Sequence, residues 1–160
     1  MKREVPVCIR NKNPFNIPFE PSSEWKGLVG ENDGFCVFRT LELGCLAALQ
    51  RLCRFHHQGY DTIKDITDHW MTLTVNEKES RMSYLERNIK GFPEGYEKFL
   101  PSDRDGCITS FKGLLEIAYL MMCYEIGWVT PSVHDRCSHT LYRTAQKHEL
   151  EKTWMQNGEG

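Results

Sequence analysis

The chain predicts an α+β fold dominated by helix, with about five to six helices behind a small irregular β element at the N-terminus. Three observations carry this. Turn formers crowd the first 38 residues, where Pro6, Pro14, Pro18, Pro21, Gly27, Gly30 and Gly34 leave a helix no room to propagate. Beyond residue 39 the apolar residues recur at helical spacing almost to the end. The 160 residues, 40% hydrophobic and 11% aromatic, suffice for one domain with a real core and argue against disorder.

Taken in order, the elements are these. Phe35 to Phe38 is the clearest strand, a short aromatic and β-branched run after Asp33-Gly34. From Thr40 to His57 the period changes: Leu43, Leu46, Leu49 and Cys53 share one helix face, and Gly59 closes the segment. Thr62 can cap a helix with Ile63, Ile66 and Trp70 inward. Asn76 with Glu79 resembles a capping box for a third helix, with Met82, Leu85 and Ile89 inward. Gly91 to Asp105 reads as a Pro/Gly-rich connection holding a short helical turn at Tyr96 to Leu100. The most apolar helix, Thr109 to Glu125, carries Phe111, Leu114, Leu115, Ala118, Met121 and Met122 as its stripe. Ser132 and Asp135 open one final helix toward Trp154, and residues 157–160 should fray.

Charge and cysteine usage exclude several functions. With 20 basic and 22 acidic residues the net charge is −2, which argues against nucleic acid as the main partner. A neutral glycan stays compatible. No run of 18 apolar residues exists to span a membrane. The Met-Lys-Arg-Glu-Val-Pro-Val start lacks the apolar core of a signal peptide, so synthesis in the cytoplasm is expected. Action at a cell wall would then need a virion, a lysis event or a secretion machine to carry the protein there. The seven cysteines are odd in number and include no C-x-x-C, so no zinc ribbon or thioredoxin-type site is expected. Cys45, Cys53 and Cys123 lie on apolar stripes and read as core residues. His134, Cys137 and His139 match no common metal-site spacing. No metal or other cofactor is expected.

The chemistry-bearing candidates are few. Asn11, Asn13 and Asn16 supply amide donors and acceptors on a backbone that Pro14 and Pro18 hold out of helix, and Trp25 adds an indole nearby. Amides beside an indole suit a sugar, which presents hydroxyls at its rim and C–H groups on its face. The competing reading is a turn whose amides cap their own backbone. Glu125 lies 14 positions after Phe111 and so projects from the apolar face. There desolvation would raise its pKa, as a general acid needs, unless it turns outward or pairs with an Arg. Glu42 opens a helix beside Thr40, where capping or anchoring competes with a place in the site. Glu24 sits in a Ser-Ser-Glu stretch beside Trp25, and no close carboxylate pair is evident. Cys36 with a histidine would be a thiol-peptidase pair, but no characteristic motif surrounds it.

Arg10, Asn11, Asn13, Pro14, Asn16 and Ile17, then Trp25 and Gly27, then Phe35, Phe38, Thr40, Glu42 and Gly44 follow a pattern. They resemble the opening of a family of phage virion proteins and prophage relatives, described as structural or lytic-transglycosylase-like. That pattern runs R-N-N-N-P-x-N-I, W-x-G, and F-x-x-F/Y-x-S-x-E-x-G. Lys12 departs from it in the Asn run and Thr40 replaces Ser. A weaker likeness continues through Gly59 to Ile63, Trp70, Asn76, Tyr84 and Glu125-Ile126-Gly127, covering residues 10 to 128.

Tyr124-Glu125-Ile126-Gly127-Trp128 is also similar to the turn that carries the catalytic Glu of lysozyme-superfamily enzymes, although Ile126 stands where a small polar residue is commoner. Asn13 to Ile17 resembles the Asn-rich segment that follows that turn. Here the order is reversed, which implies a circular permutation, tolerated where termini lie close together. The implied molecule is a single lysozyme-like domain over residues 1–156, with a motif region 8–44 and a helical region 40–155. It would bind peptidoglycan glycan strands and cleave them as a lytic transglycosylase or muramidase, with Glu125 as acid/base and Asn13, Asn16, Trp25 and Glu42 at the substrate. The alternative is a non-catalytic virion or wall-attachment protein that keeps the fold. Other virion or secretion-apparatus proteins are further partners the resemblance implies.

Overall fold

The computed structural model describes residues 5–90 and 110–156. Among these, seven helices accompany one two-stranded antiparallel sheet, so the fold is α+β and helix-rich. The Gly91 to Asp105 connection with its turn at Tyr96 to Leu100, Cys107, the side chain of Ile89 and the tail 157–160 lie outside the described residues.

The N-terminal region holds more regular structure than its turn formers suggest. A one-turn helix α1 spans Val7–Arg10, with Pro6 at its N-cap and Cys8 and Ile9 buried. Strands β1 (Leu28–Asn32) and β2 (Phe35–Phe38) pair antiparallel across Asp33-Gly34. Both turn residues have positive φ, 51° and 85°, the geometry of the hairpin turn that Asp-Gly favours. Cys36 and Phe38 point to the core from β2.

Helix α2 spans Leu41–His57, with the Thr40 hydroxyl accepting from the Leu43 N–H at 3.1 Å. Helix α3, Ile63–Trp70, starts under Thr62 in the same way and buries Ile63, Ile66 and Trp70. Helix α4, Val75–Lys90, begins earlier than Asn76 and Glu79 implied. The capping box is Thr74 with Glu77: the Thr74 N–H donates to Glu77 at 3.0 Å and the Glu77 N–H to the Thr74 hydroxyl at 3.2 Å. Thr74 wins because its side chain offers the same reciprocal pairing two residues sooner, leaving Asn76 inside the first turn.

Helix α5, Phe111–Ile126, is capped by Ser110 and buries Ile117 and Leu120 besides most of its expected stripe. The expected final helix is two. Helix α6 spans Pro131–Lys147; the chain then turns at Glu149, whose φ is 49°, and resumes as α7, Leu150–Met155. That break rotates Leu150 into the core, where a continuous helix would have carried polar residues past it. The His56 ring stacks on Trp154 at 4.3 Å and meets Asp61 at 2.6 Å, tying α7 to the end of α2.

One continuous apolar core runs from Cys8 to Leu150 and includes Phe15, Phe38, Leu49, Ile66, Leu114, Met122 and Leu141. Cys45 and Cys53 are buried in it as expected, whereas Cys123 is half-buried with its sulfur 3.6 Å from His134 Nε2. Burial raises the thiols of Cys8 to about 11 and of Cys53 to about 12, as expected of inert core cysteines. No helix among the described residues is long and apolar enough to cross a membrane.

Candidate active site at the Asn-rich loop and the end of α5

The loop 11–17 is irregular because two of its residues, Lys12 and Asn16, take positive φ values of 54° and 50°. Asn13 pays for that geometry. Its amide donates to the carbonyls of Ile17 and Cys36, both at 3.0 Å, and its Oδ1 accepts the Ile17 N–H at 2.9 Å. Asn13 thereby bonds both backbone groups of Ile17 and ties the loop to the Cys36 carbonyl of β2. Phe15 and Ile17 fill the core on either side, and the Trp70 indole N–H donates to the Phe15 carbonyl at 2.9 Å. The loop is thus stitched to β2 and α3 before any ligand is considered.

Asn16, turned the other way by its positive φ, reaches α5. Its amide donates to Glu125 Oε2 at 2.8 Å across 109 residues of sequence. Closing so long a loop costs little more than closing a short one, because the entropy grows only logarithmically. From α4, Arg81 donates through Nε to Glu125 Oε1 at 3.1 Å, and its Nη2 lies 3.1 Å from the same oxygen as an ion pair. The Glu125 side chain is 11% exposed and that of Arg81 20%. Helix α5 ends just beyond, where Gly127 adopts a φ of 62° and its N–H returns to the Cys123 carbonyl. The Cys8 thiol lies 3.7 Å from the Glu125 carbonyl, so α1 also abuts this end.

Glu125 and Arg81 sit on the wall of a narrow cleft between α3, α4 and α5, with a cavity volume of about 30 Å³. Trp70, Thr67, Leu85 and Tyr124 supply half of the remaining lining residues, and the wall is predominantly apolar. Arg81 lies 4.8 Å over the Tyr124 ring, and the Tyr124 hydroxyl is 2.9 Å from Ser80. A charged pair at the edge of an apolar cleft interacts more strongly than the same pair in water.

Of the residues expected at the site, the structure brings Glu125 and Asn16 together. Asn13 lies in the same loop but is 0% exposed, with its amide turned inward. Its placement holds the loop and offers a ligand nothing. Trp25 is half-buried, packs against the core and carries the Arg54 guanidinium 4.5 Å over its ring. Glu42 stands apart at the start of α2, bonded by Lys147 at 3.2 Å with His148 at 3.8 Å. That Lys147 bond holds its carboxyl below the ordinary value of 4.5. Its position is that of an anchor between α2 and the end of α6. Glu24 is exposed.

Two residues at this end had no role assigned from the sequence. Arg81 is the arginine of the alternative in which Glu125 is ion-paired. The signal was present: Arg81 lies four residues before Leu85, on the inward stripe of α4, where an isolated cation calls for a partner. Trp128, three residues past Glu125, is 90% exposed, the most open of the large apolar side chains among the described residues. Among the described residues, no three His, Cys, Asp or Glu side chains are placed to hold a metal.

No protein-family model matches this chain, and no curated protein is similar to it.

Proposed function

We propose that the protein binds peptidoglycan and cuts its glycan strand, with Glu125 as a single acid/base. The observation that carries this reading is the Asn16–Glu125 hydrogen bond of 2.8 Å on a cleft wall, which joins the two segments whose chemistry suits a sugar. Asn16 positions the carboxyl, and Trp128 offers an open indole face to a sugar ring near it. In a lytic transglycosylase the carboxyl gives its proton to the glycosidic oxygen as the C1–O bond breaks. It then takes a proton from the C6 hydroxyl as that oxygen closes on C1. The carboxyl is regenerated, and no second carboxylate or water is consumed. A guanidinium only donates, so the acid role requires substrate to draw Arg81 away from Oε1. The protein would act at the bacterial wall or within a virion, as expected of a phage-derived component.

The occupied carboxylate also favours a second reading. Both Glu125 oxygens already accept hydrogen bonds, from Asn16 and Arg81, as they would in a non-catalytic virion or wall-attachment protein that uses the pair to hold α4 against α5.

Purified peptidoglycan digested with the parent and with Glu125→Gln separates the two. Anhydro-sugar products from the parent, lost in the mutant while its melting temperature is retained, are the expected result. Equal turbidity loss with parent and mutant would remove Glu125 from the chemistry. Pull-down on insoluble peptidoglycan without any released product would favour the attachment reading.

A further inference from the structure

A second surface feature lies apart from Glu125 and goes beyond the glycan reading. An open groove of about 370 Å³ runs between the start of α2 and one face of α6. Ile9 and Leu41 contribute apolar wall, and Lys12, Arg136, His139 and Arg143 line it with cationic or protonatable groups. Arg136, His139 and Arg143 are exposed and recur at helical spacing, so they share a ridge of α6. Arg136 and Arg143 lie seven residues apart, roughly 10 Å along the axis at the helical rise. Lys12 enters from the opposite wall, held by its bond to the Arg39 carbonyl at 3.4 Å.

The acids nearby do not neutralise this ridge. Glu42 faces the groove but is already bonded to Lys147, itself one α-helical turn beyond Arg143. Asp135, the other acid beside the ridge, is 3.8 Å from His134. Among the described residues, Arg136 and Arg143 form no ion pair, on a chain whose net charge is −2. Uncompensated cations converging on one groove of an otherwise acidic protein raise the local potential for anions. Guanidinium groups additionally match the oxygens of phosphate in bidentate fashion.

We propose that this groove binds phosphate groups, with Arg136 and Arg143 as the principal contacts and Lys12 as the opposing charge. A small soluble diphosphate and a phosphodiester polymer of the cell wall present the same recognising chemistry. The test is a titration of the whole protein with inorganic pyrophosphate, followed by amide NMR shifts and calorimetry at low and moderate salt. Shifts confined to residues 9–12, 40–43 and 136–143 are expected, with affinity falling as salt rises. Arg136→Ala/Arg143→Ala should weaken binding at least tenfold with an unchanged melting temperature. The control Lys64→Ala/Lys78→Ala, which removes two charges that pair with Asp68, should leave it unchanged. A parallel titration with short poly(glycerol phosphate) names the source: tighter binding than pyrophosphate marks a polymer ligand, and equal or weaker binding marks a soluble one. Absence of shifts with millimolar pyrophosphate, or equal losses in the control pair, would overturn the groove as a site.

Discussion

The loop 11–17 is gripped from two sides, and the two contacts are built differently. Against α2 the contact is backbone to backbone: a Cβ on Gly44 would stand 2.0 Å from the Lys12 carbonyl oxygen and 3.3 Å from Pro14 Cδ. Against α5 it is side chain to side chain, through Asn16 and Glu125, at the lip of a cleft. The first seam has no room for a methyl group, so it can serve only packing. The second is polar and partly open, and its hydrogen bonds are ones a ligand can compete for. Where the Asn-rich segment resembles a binding motif, Asn11 and Asn13 bond the hairpin strands and the loop's own backbone, and Asn16 alone reaches the second seam.

The largest expected effect therefore lies at Gly44. Gly44→Ala must push the loop backbone away from α2, and overpacking of this kind should cost about 3 kcal/mol in a denaturant melt. An unchanged midpoint would mean that the α2 seam is as adaptable as the α5 seam, and the contrast would fail.

Arg81→Ala tests the polar seam. It leaves a carboxylate that is 11% exposed with Asn16 as its remaining side-chain donor, and should destabilise by about 2 kcal/mol. Adding Glu125→Gln should recover part of that loss, because the orphaned charge goes with it. A double-mutant cycle with no coupling would mean that solvent already screens the pair, and that the cleft lip is wetter than its geometry indicates.

Glu42 gives the smallest effect. Its pairing with Lys147 is 33% exposed on the acid side and 58% on the lysine, so Glu42→Gln should cost under about 1 kcal/mol. The sign with pH follows from a carboxyl held below 4.5 in the fold. Its contribution is complete above 4.5 and disappears as pH falls through the lower folded value. Urea melts of parent and mutant should differ near neutrality and converge in acid. A difference that grows in acid would show that Glu42 is not anchored by Lys147.

Local signals account for what the sequence by itself determined. Thr40 and Thr62 cap α2 and α3 where a hydroxyl precedes an apolar stripe, and β2 occupies Phe35–Phe38 beside its Asp-Gly turn. Those choices are made within a turn of helix or a few strand residues, so a short window contains their cause. The position of Glu125 on the inner face of α5 belongs to the same class. Tertiary structure decided the rest. Asn13 and Asn16 are the same residue type three positions apart, yet one is sealed inward and the other reaches Glu125, because only Asn16 takes a positive φ. The partner Arg81 comes from a helix 44 residues away, and the break between α6 and α7 exists because Leu150 must enter a core assembled from distant segments. Each of these depends on which surfaces meet after the chain has closed on itself, and no periodicity within one segment encodes that.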